Sequence, residues 1–174
     1  MNEAVAEVPK PALPLASAAT GRLIALLLPA ALLAGAYGSQ YFGGLYPCEM
    51  CWWQRYAHFA ALAPAALAFS APAAAPRSRA LTLLAALAIA VSGAIGFYHA
   101  GVELKIFEGF TTCTSNASGA TNADLLKSIM AAPLIRCDQV QWSFLGISMA
   151  GWNAILSLGG ATVIAGLVLK GSRR

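Results

Sequence analysis

The 174-residue chain is 59% apolar and only 10% charged, against about 45–50% and about 25% in soluble domains. This composition excludes a soluble enzyme, a disordered protein and a nucleic-acid binder, and it leaves the net charge of +4 to orient the chain in a membrane. Uncharged runs cover residues 23–48, 56–76, 80–102 and 139–169, each long enough for a helix crossing a bilayer, which needs about 20 apolar residues.

The first 22 residues contain Glu3, Glu7 and three prolines. They lack the basic start and compact apolar stretch of a cleaved signal, and are expected to form a retained, disordered cytoplasmic tail. A first span is predicted over 23–42 and a second over 52–71, with Pro29 and Pro64 inside them, where membrane helices tolerate a kink. A third follows over 80–102 and a fourth over 147–169. The runs lack the dyad alternation of barrel strands, so they are helices. Small residues at four-residue spacing (Ser92, Gly96 and Ala100; Ser157, Ala161 and Ala165) mark helix–helix contacts. The expected fold is an all-α membrane protein, a four-transmembrane-helix bundle occupying 23–170, followed by a short tail at 171–174.

Between the third and fourth spans lies a long loop, 103–145. Within it Asn122 is placed to cap a short amphipathic helix whose Leu125, Leu126, Ile129 and Met130 share one face on the membrane surface. Tyr41, Tyr46, Trp52, Trp53, Tyr56, Trp142 and Trp152 fall near the span ends on the same side, as an interfacial aromatic belt does.

Basic residues set the orientation. Lys10, Arg22, Arg77, Arg79, Lys170, Arg173 and Arg174 lie on one side of the spans, while Arg55, Lys105, Lys127 and Arg136 share the other with five of the seven acids. Both termini are therefore expected in the cytoplasm, and the 43–51 turn and the long loop outside it, in the periplasm. All four cysteines (Cys48, Cys51, Cys113 and Cys137) fall in those two outer segments, the side where disulfides persist.

Cys48-Glu49-Met50-Cys51 opens the second helix, and a helix N-terminus favours thiolate. Arg55, four residues on, lies one turn deeper on the face of Cys51, and His58 follows on roughly the same stripe. A cation there would hold the Cys51 thiolate and stabilise an anionic acceptor, although an interfacial arginine can also simply snorkel. Three readings of the cysteines stand side by side: a redox relay, two structural disulfides, and a four-thiolate zinc set. The 23 residues between Cys113 and Cys137 give no zinc-knuckle spacing, so no metal is expected. The place of the CxxC at the membrane edge, beside an arginine and aromatics, suits a lipid-soluble acceptor such as a quinone.

Pro47-Cys48-Glu49-Met50-Cys51-Trp52-Trp53-Gln54-Arg55, Tyr98-His99-Ala100-Gly101-Val102-Glu103, Arg136-Cys137-Asp138 and Gln141-Trp142-Ser143-Phe144-Leu145-Gly146 together resemble the DsbB family of disulfide bond formation proteins, over about residues 22–170. The resemblance implies a multi-pass protein of the bacterial inner membrane. It implies reoxidation of a soluble, DsbA-like periplasmic oxidase of thioredoxin fold, with ubiquinone or menaquinone as electron acceptor. By the same resemblance, Cys113 receives the partner's thiolate and Cys137 resolves the mixed disulfide or hands oxidation onward. Cys48 and Cys51 are then reduced, with Cys51 nearest the quinone and Arg55 supporting the charge that develops there. His99 and His58 are further candidate quinone contacts, beside the plainer reading of satisfied interfacial histidines. The rivals are a bundle with structural disulfides or a four-cysteine metal site, and a quinone reductase resembling vitamin K reductase, whose CxxC comes late in the chain.

Overall fold

The structure, a computed structural model, describes residues 13–109 and 135–170, without the side chains of 13–16. The expected amphipathic helix at 122–130, Cys113 and residues 171–174 lie outside them. Four long helices dominate: α1 (Leu13–Tyr41), α2 (Glu49–Leu67), α3 (Pro76–Glu103) and α4 (Met149–Lys170).

Helix α1 begins ten residues before the expected span, so the part of the tail from Leu13 onward is helical and not disordered. Its start is rich in alanine, the strongest helix former, and Pro14 falls in the first turn, where a missing N–H costs nothing. Helix α2 starts at Glu49 rather than Trp52 and ends at Leu67, with a 3₁₀ turn (Ala68–Ser70) completing the stretch expected as helix.

Three helical segments are long and apolar enough to cross a membrane: Ser17–Tyr41, Pro76–Glu103 and Met149–Lys170. Helix α2 is not among them, because Glu49, Gln54, Arg55 and His58 dilute its apolar content.

Contacts at both ends make each neighbouring pair antiparallel. Arg22 near the start of α1 donates to the carbonyls of Ala68 (3.1 Å) and Ala71 (2.8 Å) after α2, while Arg55 at the start of α2 reaches Ala36 near the end of α1. Ser78 donates to Ala68 O (2.9 Å), and Arg79 to Val168 O (3.2 Å) at the end of α4. The basic residues of this end thus satisfy helix C-terminal carbonyls, which favour cations. Around the bundle the order is α1, α2, α3, α4, closed by α4 on α1.

The central core is Ala25, Ala61, Ala65, Ala85, Ala86, Ile89, Ala161, Ile164 and Val168. Such small side chains let the backbones approach closely. The approach is tightest between α3 and α4, where a Cβ on Gly96 would lie 3.0 Å from Ala150 O and 3.1 Å from Ala154 N.

Two short strands, β1 (Ser143–Phe144) and β2 (Ile147–Ser148), pair antiparallel just before α4. Their two-residue connection, Leu145 and Gly146, has φ of 52° and 77°, the positive values a type I′ hairpin requires at both positions. Trp152 Nε1 donates to Phe144 O at 3.1 Å and fastens this hairpin to the first turn of α4.

Candidate active site

Cys48 is the N-cap of α2 with extended backbone (φ −77°, ψ 177°), and its sulfur accepts from the Cys51 backbone N–H at 3.4 Å. Capping of this kind satisfies one of the orphan N–H groups of the first turn. It also brings the two sulfurs together: Cys48 Sγ donates to Cys51 Sγ at 3.1 Å, and both are free thiols.

Cys137 joins them from the far end of the outer loop. It is 2% exposed and packs with Cys48, Met50 and Val102 in a second small core. Hydrogen bonds with Cys137 and then Cys51, reinforced by burial, push the Cys48 thiol far above the ordinary range, so Cys48 keeps its proton. Three of the four cysteines expected to carry the chemistry are therefore in one cluster. The fourth, Cys113, lies outside the described residues.

The segment bearing Cys137 is latched to the end of α3. That helix closes in a Schellman motif, with Ile106 N donating to Gly101 O (2.8 Å) and Lys105 N to Val102 O (3.0 Å). Lys105 takes the left-handed position usually given to glycine, with φ of 60°. Its Nζ donates to the Asp138 carboxylate at 2.6 Å and to the Asp138 carbonyl at 2.8 Å. Arg136 adds two hydrogen bonds, of 2.9 and 2.8 Å, to the same carboxylate. The bonds from Arg136 and then Lys105 hold the Asp138 carboxyl well below the usual carboxylate range.

Arg55 does not snorkel. It is 5% exposed and turned toward α1, where it donates to Gln40 Oε1 (2.5 Å) and Ala36 O (3.0 Å). The Tyr37 and Trp52 rings flank its guanidinium, with centroids at 4.6 and 5.1 Å. Among the described residues no carboxylate pairs with it. A buried cation without an anionic partner is poised for negative charge arriving from outside.

Beside Arg55 opens a cavity of about 220 Å³, lined by Cys48, Cys51, Arg55, His58 and His99 and walled by apolar residues of α1 such as Leu32 and Ala36. An apolar cavity of about 150 Å³ holds a benzene ring, so this one admits a substituted six-membered ring against Cys51.

The two histidines are buried and joined. His99 Nε2 lies 3.6 Å from Cys48 Sγ, and its Nδ1 2.9 Å from Gln54 Nε2. His58 Nε2 lies 2.9 Å from Asn153 Oδ1, and Asn153 Nδ2 donates to Gln54 Oε1 at 2.8 Å. The donor atoms of Cys48, Cys51 and His99 all fall within 4.8 Å of one another, close enough for a thiophilic cation to bridge.

Gln40, Gln54, Ser92, Asn153 and Glu103 also belong to this region, and the sequence reading missed them. A signal was present. Gln54 and His58, Ser92 and His99, and Asn153 and Ser157 recur at helical spacing in otherwise apolar runs, which marks one polar face on each of three helices.

Comparison with known proteins points to one family. The family described as "Disulfide bond formation protein DsbB" matches residues 19–167. A disulfide bond formation protein B of Methylococcus capsulatus (strain Bath) is 37% identical over 152 residues, covering 83% of this chain and 90% of the relative. Those of Xanthomonas campestris pv. campestris (strain 8004) and Xanthomonas oryzae pv. oryzae (strain MAFF 311018) are 30% and 31% identical, over 87% and 79% of this chain and 92% and 82% of their own. No solved structure gives a significant match. The chain belongs to the DsbB family: it is a membrane protein of disulfide bond formation.

Proposed function

We propose that this member of the DsbB family is a thiol:quinone oxidoreductase of the bacterial inner membrane, with both termini in the cytoplasm and the cysteine cluster facing the periplasm. Helix α2 is its fourth span. Its 19 residues extend over about 28 Å, close to the roughly 30 Å of the hydrocarbon core. A reduced, DsbA-like periplasmic oxidase gives up two electrons and two protons and becomes a disulfide, and ubiquinone or menaquinone takes them up as the hydroquinone.

The observation that carries this reading is the thiol cluster, in which Cys48 touches both Cys51 and Cys137. Oxidation then has a contiguous path. The Cys137 thiolate attacks Cys48 Sγ of a Cys48–Cys51 disulfide, the Cys137–Cys48 bond forms, and Cys51 leaves as a thiolate beside the cavity. A Cys113 thiolate attacking Cys137 restores the outer pair and releases Cys48. The outer disulfide then accepts the partner's thiolate at Cys113.

The quinone supplies the two-electron sink, and the residues present fit it: a ring-sized apolar space, the Cys51 sulfur at its edge and the Arg55 cation, which pairs with no carboxylate among the described residues. Arg55 holds negative charge there, and Cys51 is the sulfur that meets the acceptor. His58 lines the same space with a buried Nδ1 that has no partner among the described residues.

Stopped-flow reduction of a soluble quinone by the purified protein, driven by a reduced DsbA-like oxidase, tests the reading. Steady quinone consumption matched by partner oxidation supports it. A protein whose cysteines stay oxidised in the presence of reduced partner is a structural bundle, and one whose thiols are released only by a chelator is a metal site.

A further inference from the structure

The hydrogen bonds around His99 have a direction. Two carboxamides in the network are pinned by backbone carbonyls, which can only accept. Gln54 Nε2 donates to Met50 O at 3.1 Å, and Asn153 Nδ2 donates to Ser92 O at 3.1 Å. With its amino group so fixed, Gln54 presents an N–H to His99 Nδ1 at 2.9 Å, and that nitrogen must accept. With Nδ1 accepting, the one hydrogen of the ring sits on Nε2. The tautomer is thereby specified, and its N–H is on the side of Cys48 Sγ, 3.6 Å away.

We propose that Gln54 and Asn153 are positioning residues that lock His99 in the Nε2–H tautomer, making His99 the hydrogen-bond donor that stabilises the Cys48 thiolate as it leaves. This deepens the thiol:quinone reading and rests on it. The step concerned is the release of Cys48. The Cys113 thiolate attacks Cys137, the Cys113–Cys137 bond forms and the Cys137–Cys48 bond breaks. The electron pair of the broken bond stays on Cys48, and no proton is transferred. His99 keeps its hydrogen and donates to the new thiolate. A lower leaving-group pKa speeds such a step.

The remaining links hold the donor in place. Asn153 Nδ2 reaches Gln54 Oε1 at 2.8 Å and Ser92 Oγ at 3.2 Å, so the Gln54 carboxamide cannot turn over without breaking bonds on α3 and α4. The same chain fixes His58. Its Nε2 donates to Asn153 Oδ1, which leaves Nδ1 as an acceptor. Among the described residues, the titratable groups facing Cys48 are Cys51, Cys137 and His99. Glu103 faces His99, with Oε1 at 3.8 Å from Nε2. Arg55 and His58 line the adjoining cavity.

Two measurements on the full chain in detergent test this. Nitrogen-15 NMR of histidine-labelled protein reads each tautomer. A protonated Nε2 and bare Nδ1 on His99 are expected, and the reverse overturns the proposal. The second is the pH profile of Cys48 alkylation by iodoacetamide in a Cys51→Ala/Cys137→Ala background, where Cys48 has no neighbouring thiol. His99→Leu is expected to raise the midpoint by about one unit, about tenfold less thiolate near neutral pH. His99→Gln, which keeps a donor, should restore most of it, and Gln54→Met should give a smaller rise. An unmoved midpoint in Gln54→Met overturns the positioning role even if His99→Leu does not fold. Quinone turnover by the wild-type protein is scored separately. Turnover with an unmoved midpoint sinks only this inference, and a moved midpoint without turnover sinks only the thiol:quinone reading.

Discussion

Cys137, at the end of the outer loop, hydrogen-bonds Cys48, the N-cap of α2. The outer loop therefore meets the CxxC at its first cysteine, which leaves the second, at the cavity wall, free of that contact. A Cys51→Ala variant isolates this meeting. Mild oxidation with diamide should then give a Cys48–Cys137 disulfide, detected by peptide mapping without reduction. Quinone reduction should stop, while one round of thiol exchange with the partner survives. Continued quinone turnover in this variant would refute the assignment of Cys51 as the sulfur at the acceptor.

Arg55 is fixed by two hydrogen bonds to α1 and two aromatic faces, so its charge is held at the cavity and not at the lipid surface. A hydrogen bond to a charged group contributes about 1.5–3 kcal/mol, which is roughly 10- to 150-fold in affinity. Arg55→Gln should accordingly raise the KM for quinone by at least about tenfold and leave that for the partner oxidase nearly unchanged. Equal losses in both would make Arg55 a purely structural residue. Gln40→Ala, which loosens the clamp and keeps the charge, should have a smaller effect in the same direction.

Why part of this site was readable from the sequence and part was not follows from charge. Long uncharged runs announced the helices, and the CxxC with Arg55 stood out because charged and sulfur-bearing residues are rare in such a chain. Gln54 and Asn153 did not stand out, because a lone amide in an apolar run looks the same whether it faces lipid or three neighbouring helices. Only the packing of α2, α3 and α4 brings Gln54, His99 and Asn153 into one chain. The contact between Cys137 and Cys48 was equally hidden, since four cysteines allow three pairings. Leu13 to Arg22 reads as tail because the acids and prolines just before it (Glu3, Glu7, Pro9 and Pro11) imitate one, while its own alanines favour helix. Ser143–Gly146 was visible only within a family signature, because leucine at a positive φ carries no turn signal, and Ile147–Ser148, expected as the start of the fourth span, is strand instead.

The latch on Cys137 should respond to acid in a defined window. Asp138 is held below its ordinary pKa by Arg136 and Lys105, so its contribution is fully present above the unfolded carboxyl value of about 3.9. It is lost as the pH falls toward the lowered folded value. Formation of the Cys48–Cys137 disulfide in Cys51→Ala should thus be unaffected by this group from pH 7 down to about 4, then decline. Asp138→Asn should slow that cross-linking by a few fold already at neutral pH, about the effect of losing an exposed ion pair. Lys105→Gly separates strain from latching. It should match or exceed wild-type stability by about 1 kcal/mol, because glycine accepts the left-handed position, and still cross-link more slowly. Unchanged cross-linking in both variants would dismiss the latch.

The close crossing of α3 and α4 is what sets Asn153 within reach of Ser92 and Gln54, and Gly96 is the residue that permits it. A Cβ at position 96 would lie 2.9 Å from Asn153 Nδ2, 3.0 Å from Ala150 O and 3.1 Å from Ala154 N. Two of these atoms are backbone and cannot step aside, so Gly96→Ala must push the helices apart. Overpacking of this kind costs about 1–3 kcal/mol. Gly166→Ala is the control. That glycine lies within α4, and a Cβ there meets nothing within 4 Å, so the change should be neutral or stabilise by up to about 1 kcal/mol through helix propensity. Thermal unfolding in detergent, followed by circular dichroism, gives both values. Gly96→Ala should also disturb the His99 tautomer signal while Gly166→Ala leaves it in place. If the two variants unfold alike and leave that signal alike, the α3–α4 crossing is looser than the structure has it, and the hydrogen-bonded chain through Asn153 loses its support.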